Sequence, residues 1–60
     1  MYLVLESTTF SNLYWNRDTK SFETIKDATH YTENSLKHCV EHHKHELPRE
    51  HVKVVRILTL

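Results

Sequence analysis

An α+β fold, a small and mainly antiparallel sheet with one helix packed on one face, is predicted by three observations on this 60-residue chain. Four short runs are rich in β-branched, aliphatic or aromatic residues and are separated by polar turn formers. One stretch, from Glu33 to Leu47, carries apolar residues at helical spacing. The elements follow in the order β-β-β-α-β with no repeat, linker or low-complexity segment, so residues 1–60 are expected to form a single domain of one sheet layer and one helix layer.

The first strand is Tyr2 to Glu6, an aliphatic run with no helical period that ends at the polar cluster Ser7-Thr8-Thr9. Strands two and three are Asn12 to Asn16 and Ser21 to Ile25, which flank Arg17-Asp18-Thr19-Lys20, a polar connection suited to a type I turn within a hairpin. Alternation puts Leu13 and Trp15 on one face of strand two and Tyr14 on the other, with Phe22 and Thr24 sharing a face of strand three. Glycine is absent from the chain. Left-handed backbone positions must therefore fall to Asn or Asp, which predicts turns centred on Asn12, Asn16, Asp18 and Asn34.

Thr24 and Asp27 predict a short turn reaching to Tyr31, and Thr32 is a good N-cap for a helix that begins at Glu33, where the acidic side chain suits the helix dipole. Leu36, Cys39, Val40, His43 and Leu47 line one stripe of that helix and are expected to face the sheet. Pro48 removes a backbone donor and disfavours helical geometry at Leu47, so the helix is expected to stop there. The last strand spans His51 to Leu60, with Val52, Val54, Arg56, Leu58 and Leu60 on one face and Val55 and Ile57 on the other. A strand apolar on both faces is usually central, or else paired in an interface. One helix covers one sheet face. The opposite face, carrying some of Tyr14, Phe22, Val55 and Ile57, predicts a homodimer through that face or through a strand edge.

Composition excludes several functions. A chain of this length buries only about 60% of the surface its unfolded form exposes, and its single cysteine leaves it no internal disulfide. The formal charge is zero, with eight basic and eight acidic residues, so no basic face announces nucleic acid. The absence of glycine rules out a phosphate loop, a dinucleotide fingerprint and a nucleophile elbow, all of which need glycine at tight turns. Tyr2 to Leu5 lacks the length and positive flank of a signal peptide, and no apolar run approaches the ~20 residues of a membrane span, so a cytoplasmic protein with no membrane partner is expected.

The densest chemistry lies at His38, Cys39, His42, His43 and His45. As one continuous helix this stretch divides into a solvated outer row of His38, His42 and His45 and a core-side pair of Cys39 and His43. Neither half meets the needs of its chemistry: a structural zinc site takes four ligands, commonly with sulfur, and a catalytic thiolate needs exposure beside a base. No catalytic residue, cofactor or metal ligand is expected, and an enzyme is not predicted. The six histidines would add positive charge on mild acidification, as any unperturbed imidazoles do.

Tyr14-Trp15-Asn16-Arg17-Asp18-Thr19-Lys20-Ser21-Phe22, then Ala28 and Tyr31 ahead of a polar helix, and finally Val52 to Ile57, form a layout that resembles short accessory proteins of tailed bacteriophages. The resemblance is one of pattern, spans nearly the whole chain, and implies a compact, non-catalytic protein that binds a host protein stoichiometrically and modulates or inhibits it in the host cytoplasm. It carries over no functional residue. From the residues themselves, Tyr14, Trp15, Phe22 and Arg17 are the expected contacts, since aromatic and Arg anchors dominate interface energy. The alternative is a nucleic-acid-binding module that stacks bases on the same aromatic hairpin beside Arg17 and Lys20.

Overall fold

A computed structural model describes residues 2–58 and shows the expected α+β architecture. The strands are β1 (Tyr2–Ser7), β2 (Tyr14–Asn16), β3 (Ser21–Glu23) and β4 (Val52–Ile57), with the helix α1 (Glu33–His42) between β3 and β4. They form one four-stranded sheet in the order β3-β2-β1-β4. Every neighbouring pair is antiparallel.

The central strand is β1, not β4. Its run Leu3-Val4-Leu5 is buried on both faces, the hallmark of an interior strand. All six of its residues pair with β4, from Tyr2 opposite Ile57 to Ser7 opposite Val52. The other edge of β1 is shared. Its C-terminal end meets β2 through Glu6 opposite Tyr14, and its N-terminal end exchanges two backbone bonds with Tyr31, at 2.6 Å and 2.8 Å. The connection after β3 thus inserts Tyr31 where a longer β2 would run, and the Thr29 amide ties that insertion to the Trp15 carbonyl at 3.0 Å. With both flanks of β1 taken, β4 is left at the edge of the sheet.

The hairpin turn spans Arg17 to Lys20 between the paired residues Asn16 and Ser21. The Asn16 side chain accepts the amides of Asp18 and Thr19 at 2.8 Å and 3.1 Å, an Asx turn that leaves Asn16 itself in β2. The left-handed residue is Lys20 at φ 55°, because a type I turn re-enters its strand through that conformation and no glycine is present to take it. Asn12 is left-handed as expected, at φ 66°, and its amide is held by the Glu6 carboxylate at 3.1 Å. Asp18 is not left-handed, and Asn34 lies within α1.

Thr32 caps α1 reciprocally with Ser35: each hydroxyl accepts the other's amide, at 3.0 Å and 2.8 Å. The helix stops at His42, short of Pro48, because His43 adopts φ −135° and ψ 42° and a 3₁₀ turn, Lys44–Glu46, follows. Trp15 holds that turn, its indole N–H donating to the Glu46 carbonyl at 2.9 Å. The core lies between sheet and helix and consists of Leu3, Leu5, Trp15, Tyr31 and Cys39, with Phe22, Leu36, Leu47 and Val52 packed against it. Val40, expected on the core stripe, remains exposed. Leu60, assigned above to the last strand, lies outside the described residues.

Candidate functional site

The four expected contact residues are divided between the two faces of the sheet and the turn. Trp15 and Phe22 are cross-strand partners on the helix side of the sheet, packed edge to face with ring centres 5.4 Å apart. Trp15 is 7% exposed. Its ring packs into the core, and what remains exposed borders a cleft. Phe22 is half-buried and, with Trp15, lines this cleft of about 390 Å³ together with Lys20, His45, Leu47, Pro48 and Arg49. Tyr14 points to the opposite face, since it pairs with Glu6 and Glu23 while its neighbour Trp15 faces the helix. Arg17 is exposed in the turn, its amide bound to the Thr29 hydroxyl at 2.8 Å.

The feature that the structure brings forward is the outer edge of β4. Among the described residues this strand pairs on one side only, with β1. The direction of its free backbone groups follows from β1. Leu3 bonds toward Tyr31 and the Ser7 amide toward Leu13, so the alternating residues Tyr2, Val4 and Glu6 turn their amides and carbonyls toward β4. Their partners Ile57, Val55 and Lys53 close the ladder. The backbone groups of Val52, Val54 and Arg56 therefore point outward, away from the sheet.

Apolar surface flanks that edge on both faces. On the helix side, Leu5, Leu36, Val40, Leu47, Pro48, Val52 and Val54 line a groove of about 180 Å³, and Val54 is 53% exposed beside it. On the far side, Val55 and Ile57 are half-buried. Two basic side chains mark the strand: Lys53 reaches Glu6 and Arg56 reaches Glu33, each at 3.5 Å. Cationic side chains are a common guard against unwanted edge pairing. The edge was not singled out in sequence; the signal for it was the apolar character of Val52 to Ile57 on both faces.

The buried polar groups behave as core. Burial pushes the Cys39 thiol above its ordinary 9.0, the Glu46 carboxylate adds to the rise, and Arg17 opposes it. A thiol held in its neutral form is a poor nucleophile. Tyr31 is 1% exposed, and its hydroxyl has no hydrogen-bond partner among the described residues. Burial pushes its phenol above the ordinary 10.0, with Cys39 adding to the rise and Arg17 opposing it.

Both shifts have one sign. Above pH 9 the unfolded chain releases these protons while the folded chain retains them, so stability is full below that pH and falls as pH rises through the elevated values. Tyr31→Phe is expected to flatten the fall and, by removing an unpartnered buried hydroxyl, to stabilise the domain by about 1 kcal/mol at pH 7. Urea unfolding at pH 7 and pH 10.5 measures both effects. A less stable Phe variant at pH 7 would show that the hydroxyl has a partner.

The histidines do not keep the two groups expected of one continuous helix. Within the helix the His38 ring lies 4.8 Å from that of His42, and past the helix end His43 lies 5.3 Å from His38 and 6.0 Å from His45. They form one continuous row. No protein-family model, curated protein or solved structure matches the chain. No helix among the described residues is long and apolar enough to cross a membrane.

Proposed function

We propose that the chain is a small, non-catalytic protein-binding module that docks an extended segment of another protein along β4 by stoichiometric strand addition. The observation that carries this reading is the one-sided pairing of β4, with the backbone of Val52, Val54 and Arg56 free and apolar surface on both flanks. In such complexes main-chain bonds supply affinity and alternate side-chain pockets supply specificity.

The chemistry of the occupant follows from the strand. A guest strand places side chains alternately in the Val54 groove and over Val55 and Ile57, so its apolar residues recur on both faces. Acidic side chains on the guest suit positions opposite Lys53 and Arg56. A second copy of the chain would pair outward residues with outward residues, as in the antiparallel register that sets Val54 opposite Val54 and Val52 opposite Arg56, and there it offers no acidic side chain opposite Lys53 or Arg56. The homodimer is thus the competing occupant of the same edge. On the layout resemblance described above, the reading extends to a phage-encoded modulator or inhibitor of a host protein in the host cytoplasm.

The test begins with a partner captured on the immobilised chain, purified, and titrated against wild type and Val54→Pro. The proline removes one outward donor and none of the β1 ladder. A 1:1 complex weakened at least about tenfold, the cost of roughly one well-made hydrogen bond and its contacts, is the expected result. Equal affinity for both proteins would exclude β4 as the docking strand. Sedimentation of the free chain separates the two occupants: a dimer abolished by the same proline assigns the edge to a second copy instead.

A further inference from the structure

We propose that His43, His45 and Glu46 form a binding site for a divalent transition-metal ion, zinc being the best match. Their ligand atoms, two imidazole nitrogens and a carboxylate oxygen, all lie within 4.8 Å of one another. Two histidines with one glutamate is a donor set that zinc takes in three-ligand sites, with the remaining position left to water. Zinc holds such donors at about 2.0–2.2 Å, which places them roughly 3.4 Å apart in a tetrahedron. The 4.8 Å spacing exceeds that by about 1.4 Å, a difference on the scale of side-chain torsional adjustment.

The backbone of the turn that carries the ligands is already held by hydrogen bonds. The His43 amide donates to the Cys39 carbonyl at 2.8 Å, the Glu46 amide to the His43 carbonyl at 2.9 Å, and the Leu47 amide to the Lys44 carbonyl at 3.0 Å. The Glu46 carbonyl in turn receives the Trp15 indole at 2.9 Å, which anchors the turn to the central core. A site whose ligands are preorganised loses less entropy on binding. His45 also lines the cleft beside Phe22 and Arg49, so the ion sits at the cleft rim, where water reaches its open position.

Only the break at His43 creates this set. On a continuous helix His43 and His45 would point away from each other. The competing arrangement is the His38 and His42 pair, which offers two donors on the helix surface with no carboxylate among them. For a domain too small to rely on its core alone, an ion here would staple the end of α1 and the following turn in place.

The experiment is calorimetric titration of Zn²⁺ into untagged protein stripped with chelator, with Co²⁺ absorption as a second readout of ligand geometry. One ion per chain is expected. His45→Ala and Glu46→Gln should each weaken binding by at least about tenfold, while the double variant His38→Ala/His42→Ala changes it by less than about threefold, as loss of a ligand and loss of a bystander differ. Glu46→Gln keeps the carbonyl that holds Trp15, and circular dichroism verifies the fold of each variant. No saturable binding below about 1 mM zinc, a concentration at which even a weak site of −4 kcal/mol fills, would overturn the proposal. So would binding that survives His45→Ala and is lost in the His38/His42 double variant.

Discussion

Trp15→Ala is expected to unfold the domain at room temperature. The indole is the largest side chain of the core cluster, 7% exposed, edge-on to Phe22 and in company with Leu3, Leu5, Tyr31 and Cys39. Truncating a buried Trp to alanine costs about 3–5 kcal/mol, and a core of this size rarely supplies more than that in total. The variant also orphans the Glu46 carbonyl and releases the turn that carries His43, His45 and Glu46. Trp15→Phe keeps a ring in place and gives up mainly the indole donor, a loss of about 1 kcal/mol, and stays folded. Far-ultraviolet circular dichroism with thermal scans separates the two outcomes. A Trp15→Ala protein with a native spectrum and a cooperative transition would show that the helix and sheet hold together without this anchor.

Prolines placed at neighbouring positions of β4 are expected to act oppositely. Val55 pairs with Val4, and its amide faces β1, so Val55→Pro deletes a ladder bond and leaves the carbonyl of a fully buried residue unpartnered. An unsatisfied buried acceptor costs about 1–3 kcal/mol before any strain in the strand, a large share of what a domain this small possesses. Val54 pairs with Leu5, and its amide points outward. Val54→Pro therefore retains the ladder and unfolds close to the wild-type midpoint in urea. Similar midpoints for the two variants would mean that the outward and inward positions have been assigned the wrong way round.

What sequence conveyed here was local. The aliphatic run of β1, the turn between Asn16 and Ser21 and the Thr32 cap are properties of a few adjacent residues, and each element appears where those residues put it. Placement across the sheet depended on contacts distant in sequence. Nothing near Tyr31 signals that its backbone pairs with Leu3, yet that insertion takes the second flank of β1 and sends β4 to the edge. The stop at His42 is similarly non-local, since Trp15 holds the turn from across the core, whereas Pro48 suggested a stop farther along the chain.

The candidate site shows the same division. Apolar character on both faces of Val52 to Ile57 was visible in the chain and admitted either a central position or a strand paired in an interface. The sheet order excludes the central position. The aromatic hairpin was equally visible, but alternation sends Tyr14 to one face and Trp15 with Phe22 to the other, and most of Trp15 is buried in the core. The histidines misled for a related reason: helical spacing sorts them by face only as far as the helix continues.

The claim that β4 is an open docking strand is tested most directly by residue-resolved amide hydrogen exchange on the chain, free and bound to its captured partner. In the free protein the amides of Val52, Val54 and Arg56 should exchange rapidly while those of Lys53, Val55 and Ile57 are protected, because only the second set bonds to β1. In the complex, the first set should become protected as well. A Val54 amide as slow as that of Val55 in the dilute free chain, or one that still exchanges freely in the complex, would contradict the account.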